Sequence, residues 1–335
     1  MEVCGTHTMA IARYGIRQLL PESIRLISGP GCPVCVTSQE DIDRMIAIAR
    51  LPGVVFGTFG DMIRVPGTDG SLSQARAQGA DVRVVYSCLD ALELAEGLAD
   101  RQVIFAGVGF ETTSPTVAAT ILEAKRRGIR NFSVYPAFKL VPPALRAILS
   151  SDRVDIDGFL LPGHVSSIIG SRPYQFISRD YKKPGVIAGF EALDILGAII
   201  MLLEMLIEKS PEIKNEYRRG VSPAGNQEAM KILYRVFRPA ESRWRAIGRI
   251  ADSGLDFHED YKEFDARLRF HVTASSKDEP QGCLCGQVMM GAVQPDECPL
   301  FGGACRPESP VGPCMVSSEG ACAAWFKYGV ARAGG

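Results

Sequence analysis

The sequence predicts an α/β protein with two tandem open parallel-sheet domains, followed by a small Cys-rich C-terminal domain. Short apolar, β-branched runs alternate with helical segments along the first part of the chain, as is typical of buried parallel strands. Six of the ten cysteines then lie between Cys283 and Cys322, where Gly and Pro are frequent and no helical or strand period persists. We expect the domains to span 1–107, 108–245 and 246–335.

Composition and charge exclude several classes of protein. The 37 Lys and Arg residues nearly cancel the 38 Asp and Glu residues, so we expect no nucleic acid partner. The most apolar segment, 185–207, contains three acidic residues, and its longest uncharged run is too short to cross a bilayer. No basic region followed by an apolar run opens the chain, so we expect a cytoplasmic protein that uses its cysteines for metal binding or redox chemistry.

The first domain is predicted to have an initial strand and helix, two further βα pairs and a final strand. Its predicted strands are 23–28, 54–58, 82–86 and 103–106, and its predicted helices are 38–50, 72–79 and 89–99. The second domain has predicted strands 132–135, 158–161 and 184–188 and predicted helices 115–127, 143–149, 167–170 and 192–208. A linking helix at 226–237 and a charged amphipathic segment at 261–270 lead into the Cys-rich region.

The first motif is Cys4-Gly5-Thr6-His7-Thr8. A tight turn would put the Cys4 thiolate and the His7 imidazole on one side, a ligand pair that suits a late first-row metal. The alternative is a frayed terminus in which neither residue has a role.

The second motif, Cys32-Pro33-Val34-Cys35, lies between a predicted strand and a predicted helix, whose start is indicated by the capping-box pair Thr37 and Glu40. A helix N-terminus lowers a thiol pKa, so this arrangement favours a redox pair. Half of a zinc knuckle is the alternative.

Two further candidates follow predicted strands, where open α/β sheets collect functional residues. Glu111 lies in a Gly-rich turn that lacks the third Gly of a dinucleotide fingerprint, and its charge would repel a pyrophosphate. We interpret Glu111 as a site acid or as a helix-start residue. His164 follows the strand at 158–161 and is either a functional or a structural histidine. Cys88 has no motif around it and is predicted to be a buried core residue.

The spacing of the C-terminal cysteines matches neither ferredoxin pattern nor paired zinc knuckles, which leaves an iron-sulfur cluster or zinc. A four-iron cluster needs four thiolates, so two of the six cysteines remain for a dithiol. Cys283 and Cys285 should point in opposite directions along an extended chain. Cys322 is predicted in the first turn of a helix that begins after Ser317-Ser318-Glu319-Gly320.

Taken in order, the motifs resemble those of the HypD family of hydrogenase maturation factors over essentially the whole chain. The resemblance rests on the segments around Cys4, Cys32 and Cys35, on Thr58-Phe59-Gly60-Asp61, Gly109-Phe110-Glu111-Thr112-Thr113 and Pro162-Gly163-His164-Val165-Ser166, and on 285–320. It implies a scaffold for assembly of the Fe(CN)2CO moiety of nickel-iron hydrogenases, in complex with the HypC chaperone and with HypE as the cyanide donor.

The resemblance also implies roles for residues. Cys4 would hold the transient iron, and Cys32 and Cys35 would supply thiol redox chemistry. The ligands of a 4Fe-4S cluster would be Cys283, Cys298, Cys305 and Cys322, with Cys285 and Cys314 as a redox dithiol; exchange of Cys283 and Cys285 is the main alternative. His7, Asp61, Glu111 and His164 would line the iron site and handle protons.

Two other functions are compatible with the cysteines. A disulfide reductase of the ferredoxin-thioredoxin reductase type would account for a cluster and dithiols but not for Cys4, His7 and His164. A zinc-stabilised binding module would be colourless and would contain stoichiometric zinc.

Overall fold

The computed structural model describes residues 1–151, 155–274 and 280–329. The strands in these residues are β1 (Val54–Thr58), β2 (Asp81–Val84), β3 (Gln102–Gly107), β4 (Phe132–Pro136), β5 (Phe159–Pro162), β6 (Gly185–Ala188), β7 (Ile213–Asn215), β8 (Phe237–Trp244) and β9 (Gly248–Phe257). The α-helices are α1 (Gly5–Arg13), α2 (Ile16–Leu19), α3 (Pro33–Val36), α4 (Gln39–Ala49), α5 (Leu72–Ala77), α6 (Cys88–Gly97), α7 (Ser114–Arg127), α8 (Val141–Leu149), α9 (Gly163–Ile169), α10 (Gln175–Tyr181), α11 (Ala192–Ile207), α12 (Gln227–Val236), α13 (Ala266–Arg269), α14 (Cys285–Met289) and α15 (Ala321–Tyr328). Short 3-10 helices lie at Gly60–Arg64, Arg172–Tyr174, Glu259–Phe264, Pro295–Glu297 and Pro313–Met315.

The chain forms two compact units, each built from separate stretches of sequence. The first unit comprises Met1–Val36, Ala144–Asn226 and Pro280–Gly335, and the second comprises Thr37–Pro143 and Gln227–Glu279. This division differs from the three consecutive segments expected from the sequence. The predicted boundary at 107 falls inside one sheet, because β4 pairs with β3 from Val103 to Gly107. Likewise, Glu2 forms bridges with both Ser28 and Leu160, which joins the N-terminal segment to β5.

The second unit is organised by a four-stranded parallel sheet in the order β2-β1-β3-β4. Every residue of β1 and β4 is buried, and Val55, Phe105 and Val134 pack in one apolar core with residues of α6 and α7. The antiparallel hairpin β8-β9 belongs to the same unit. The sequence does not predict this hairpin, because charged and small residues interrupt the apolar alternation of both strands.

The first unit contains a three-stranded parallel sheet in the order β5-β6-β7. Helix α11 begins with a capping box formed by Glu191 and Asp194, and its buried residues Ile195 and Ile199 pack with Ile11 of α1. Among the described helices, none is both long enough and apolar enough to pass through a bilayer.

The predicted fold class is confirmed: the protein is α/β with parallel sheets and a Cys-rich C-terminal region. Five of the six later predicted strands match observed ones within one residue at each end, and the sixth ends two residues early at Val84. The predicted strand at 23–28 is wrong, since only Ser28 forms a bridge there. The helix expected at 167–170 begins earlier, at Gly163.

Candidate metal and thiol site

Cys4 lies at the start of helix α1 rather than in the predicted tight turn. It is the N-cap residue, and its side chain is buried. Burial and then the Glu319 carboxylate raise the pKa of the Cys4 thiol, the backbone N–H groups of His7 and Thr6 lower it, and the net value is about 11. The resting group is therefore a thiol, and a bound cation would be needed to make it a thiolate.

The Cys4 motif packs directly against the segment that carries the CxxC pair. The N–H of Gly5 donates to the carbonyl of Gly31 at 3.0 Å. A Cβ on Gly31 would lie 2.6 Å from the Cα of Cys4, so only glycine allows this close approach. Consequently Cys4 lies beside the residue that precedes Cys32.

Cys32 and Cys35 form a disulfide with a Cα–Cα distance of 5.3 Å. Both side chains are buried. The pair lies at α3, a separate short helix, and not at the N-terminus of α4 as predicted, because the cap of α4 is Ser38, which accepts from the N–H of Asp41 at 3.1 Å. The Sγ of Cys35 lies 3.9 Å from the carbonyl oxygen of Pro313, the residue before Cys314.

The six C-terminal cysteines line one small cavity together with Phe301, Gly312 and Met315; they are Cys283, Cys285, Cys298, Cys305, Cys314 and Cys322. Cys322 lies in the first turn of α15, as predicted. The expectation that Cys283 and Cys285 point apart is wrong, because the chain turns at Leu284 (φ −102°, ψ 15°). A Cβ on Gly312 would lie 2.7 Å from the Sγ of Cys283 and 3.2 Å from that of Cys285, so both sulfurs face Gly312.

Neighbouring thiols in this cavity interact in a chain. A hydrogen bond with Cys285 is the main cause that raises the pKa of Cys283. The pKa of Cys314 is raised by hydrogen bonds with Cys285 and then with Cys322. Cys285 therefore contacts both Cys283, a predicted cluster ligand, and Cys314, its predicted partner in the dithiol.

This donor set fits an iron-sulfur cluster in kind and number, because thiolate sulfur from four cysteines is the usual ligand set of a 4Fe-4S cluster. Gly312 leaves room beside two of the sulfurs that any larger residue would fill. In the described residues, no three His, Cys, Asp or Glu side chains form a preassembled ligand set for a single metal ion. Which four cysteines would bind a cluster stays a prediction.

His7 and His164 both lie close to Phe190 in the first unit. Their rings lie 5.0 and 3.8 Å from that of Phe190. The Nε2–H of His7 donates to the carbonyl of Gly189 at 2.9 Å, and burial lowers the pKa of His7 to about 4. His7 is therefore neutral at pH 7, with Nδ1 unprotonated and without a hydrogen-bond partner among the described residues. Desolvation also lowers the pKa of His164.

Asp61 and Glu111 belong to the second unit. Asp61 lies in the 3-10 turn Gly60–Arg64 after β1. Glu111 follows β3; its Oε1 accepts from the N–H of Val141 at 2.9 Å, and Oε2 has no partner among the described residues. Burial raises the pKa of Glu111 to about 7. Glu111 is therefore not a helix cap but a buried carboxyl group that can hold or release a proton near neutral pH.

Glu319 lies beside Cys4, a position that the sequence does not predict. The hydroxyl of Thr6 donates to Oε1 of Glu319 at 2.8 Å, and the Cβ of Glu319 approaches the backbone of Gly5. In the sequence, Glu319 indicates only the start of a helix. The sequence feature that could have indicated a close contact here is Gly5, because a larger residue would collide with Glu319.

Comparison with known proteins covers nearly the whole chain. The HypD family model, described as "Hydrogenase formation hypA family", matches residues 1–329. The chain belongs to the HypD family. The resemblance inferred from the motifs is thereby confirmed.

Several HypD proteins are similar to this chain over almost their full length. The hydrogenase maturation factor HypD of Escherichia coli K12 is 47% identical over 329 residues, which cover 98% of this chain and 88% of the relative. The HypD of Azotobacter vinelandii is 48% identical over 339 residues (99% and 89%), and that of Rhodobacter capsulatus is 47% identical over 338 residues (99% and 90%).

Proposed function

We propose that this member of the HypD family acts in hydrogenase maturation as the scaffold on which the Fe(CN)2CO moiety is assembled. Iron is the cargo, bound by Cys4 together with a cysteine of the HypC chaperone, and HypE donates the cyanide. The observation that carries the proposal is the buried Cys4 thiol at the N-terminus of α1, in a chain whose relatives are named hydrogenase maturation factors.

The surroundings of Cys4 suit reversible binding of iron. Low-spin ferrous iron with cyanide and CO ligands is held well by soft thiolates, and binding releases the thiol proton. The N–H groups of Thr6 and His7 lower the pKa of the Cys4 thiol and would stabilise the thiolate, whereas burial and Glu319 raise it. The effects that raise the pKa prevail, so Cys4 remains a protonated thiol at neutral pH. Binding of iron would displace this proton.

The CxxC pair would supply the redox step. Reduction of the Cys32–Cys35 disulfide takes two electrons and two protons and yields two thiols. The contact between Cys35 Sγ and the Pro313 carbonyl supports exchange with the dithiol Cys285 and Cys314. In this exchange the dithiol would be oxidised to a Cys285–Cys314 disulfide. A 4Fe-4S cluster held by Cys283, Cys298, Cys305 and Cys322 would supply the one-electron chemistry that reduces this disulfide again; Cys285 in place of Cys283 is the alternative ligand.

The contact between Cys35 and Pro313 also favours a second candidate function, a disulfide reductase of the ferredoxin-thioredoxin reductase type. In that function the Cys32–Cys35 disulfide would be reduced from the C-terminal thiols for a protein substrate. The reductase would not require Cys4, although Cys4 packs against the residue that precedes Cys32. Loss of Cys4 therefore separates the two functions.

The deciding experiment is infrared spectroscopy of the protein purified without oxygen from cells that also express HypC. Bands of metal-bound cyanide and CO are expected, and the Cys4→Ala variant should lose them while keeping iron and sulfide at the C-terminal cysteines. Cys88→Ala is the matched control, since Cys88 is a buried core thiol of the second unit. Bands that persist in Cys4→Ala would refute the scaffold, and a blank wild-type spectrum with a 4Fe-4S cluster present would favour the reductase.

A further inference from the structure

A cavity of about 370 Å³ in the second unit lies apart from every residue assigned above. It is lined by Arg44, Ile48, Tyr135, Arg267, Phe270, His271, Val272 and Thr273. Its volume lies within the usual range of small-molecule sites. No Asp or Glu side chain lines it within the described residues.

The two arginines keep donors available for a ligand. Arg44 uses Nη2 to bind Glu40 at 2.7 Å, and Arg267 uses Nε and Nη2 to bind Asp265 and Asp256. Within the described part of the chain, Nε and Nη1 of Arg44 and Nη1 of Arg267 have no such partner. The carboxylates therefore hold the guanidinium groups in place and leave N–H groups for an acceptor.

Tyr135 forms an apolar wall of the cavity and not a donor. Its hydroxyl donates to Oδ1 of Asp41 at 3.0 Å, and Oδ2 of Asp41 accepts from Ser38 at 2.7 Å. The Lys139 ammonium group lies 3.8 Å from Oδ2 and is buried. Lys139 offsets part of the negative charge of Asp41, which is not among the residues that line the cavity.

We propose that this cavity binds a small oxyanion, a carboxylate or a phosphate, that carries an apolar or aromatic body. Arg44 and Arg267 would bind the oxyanion, and Ile48, Tyr135 and Phe270 would contact the body. Fork-shaped guanidinium groups suit carboxylate and phosphate oxygens, which accept two parallel hydrogen bonds. Burial and the Asp41 carboxylate raise the pKa of the Tyr135 hydroxyl, and the charges of Arg44 and Arg267 act in the opposite direction.

The test uses the full chain and four probes of similar size: benzoate, phenyl phosphate, neutral benzamide and cationic benzylamine. Ligand-detected NMR titrations measure the dissociation constants at low ionic strength. Saturable binding of benzoate or phenyl phosphate is expected with a dissociation constant on the order of 1 mM. Comparison of these two anions identifies which oxyanion is preferred. Benzamide and benzylamine should bind at least about tenfold more weakly, because neither accepts paired charge-assisted hydrogen bonds.

Two arginine variants provide a matched pair. Arg44 and Arg243 both lie near Glu40, at 2.7 and 4.0 Å, but only Arg44 lines the cavity. Arg44→Gln should weaken anion binding about tenfold, whereas Arg243→Gln should leave it unchanged. Equal losses in the two variants, equal binding of benzamide, or no saturable binding of either anion would overturn the proposal. The anion-binding proposal involves no iron, cluster or partner protein. Its failure would therefore leave the proposed scaffold function unaffected.

Discussion

The Thr6 hydroxyl donates a 2.8 Å hydrogen bond to the Glu319 carboxylate, which joins the N-terminal Cys4 motif to the start of the last helix. The same carboxylate raises the pKa of the Cys4 thiol. Residues more than three hundred positions apart in sequence therefore determine together how readily Cys4 loses its proton.

Replacement of Glu319 by Gln should make Cys4 more reactive. The amide keeps an acceptor for Thr6 but removes the negative charge, so the pKa of Cys4 should fall from about 11 while burial keeps it above the usual thiol value. The rate of alkylation of the Cys4 peptide at pH 8, followed by mass spectrometry, should rise several-fold. Glu308→Gln, an exposed change in the same region, is the control; an unchanged Cys4 rate in Glu319→Gln would contradict the electrostatic explanation.

Replacement of Gly312 by Ala should impair metal loading at the C-terminal cysteines. The added methyl group would lie 2.7 Å from the Sγ of Cys283, and such overpacking costs about 1–3 kcal/mol. We expect lower iron and sulfide content and a lower melting temperature. Gly303→Ala is the matched control, because a Cβ there meets nothing closer than 3.9 Å. Equal iron content in the two variants would show that the close packing at Gly312 does not matter for the site.

Glu111 should make the free energy of unfolding depend on pH. Its pKa is raised from 4.5 to about 7 in the folded protein, so between these values the folded state binds more protons than the unfolded state. Protonated Glu111 therefore contributes its full stabilisation below pH 4.5. As the pH rises through 7, this contribution is lost and the free energy of unfolding falls by about 3 kcal/mol.

Glu111→Gln should remove this dependence, which urea unfolding at pH 5 and pH 7.5 would measure as a difference between variant and wild type. His7 has the opposite dependence because its folded pKa is lowered to about 4, but it is present in both proteins and cancels in the difference. Parallel pH profiles of the two proteins would contradict the raised pKa.

Lys139 should contribute to the stability of the second unit. Its Nζ donates to Ser242 Oγ at 2.6 Å and lies 3.8 Å from Asp41. Lys139→Met would leave Asp41 without its cation, and we expect the free energy of unfolding to fall by about 1–3 kcal/mol. Ser242→Ala, which removes only the acceptor, should cost less. A Met variant as stable as the wild type in urea would show that the ion pair adds nothing over apolar packing.

Much of the fold could be predicted because local patterns report it. The strands β1, β3 and β4 are short apolar runs, and helix α7 ends at Gly128, whose φ of 69° a glycine adopts freely. The hairpin β8-β9 could not be predicted, because its strands have one largely exposed, charged face. Its position depends on pairing with other parts of the unit, such as the bridge between Lys139 and Gly254, which local composition does not encode.

The sequence by itself determined which chemical groups are present and which family the chain belongs to, because the motifs and their order are linear properties. It also indicated a Cys-rich C-terminal site. Only the tertiary structure decided that the chain turns at Leu284 so that Cys283 and Cys285 face the same cavity, and that Glu319 lies beside Cys4. Desolvation and the distances between charges depend on how distant segments pack, so the raised pKa values of Cys4 and Glu111 could not be predicted from residue types alone.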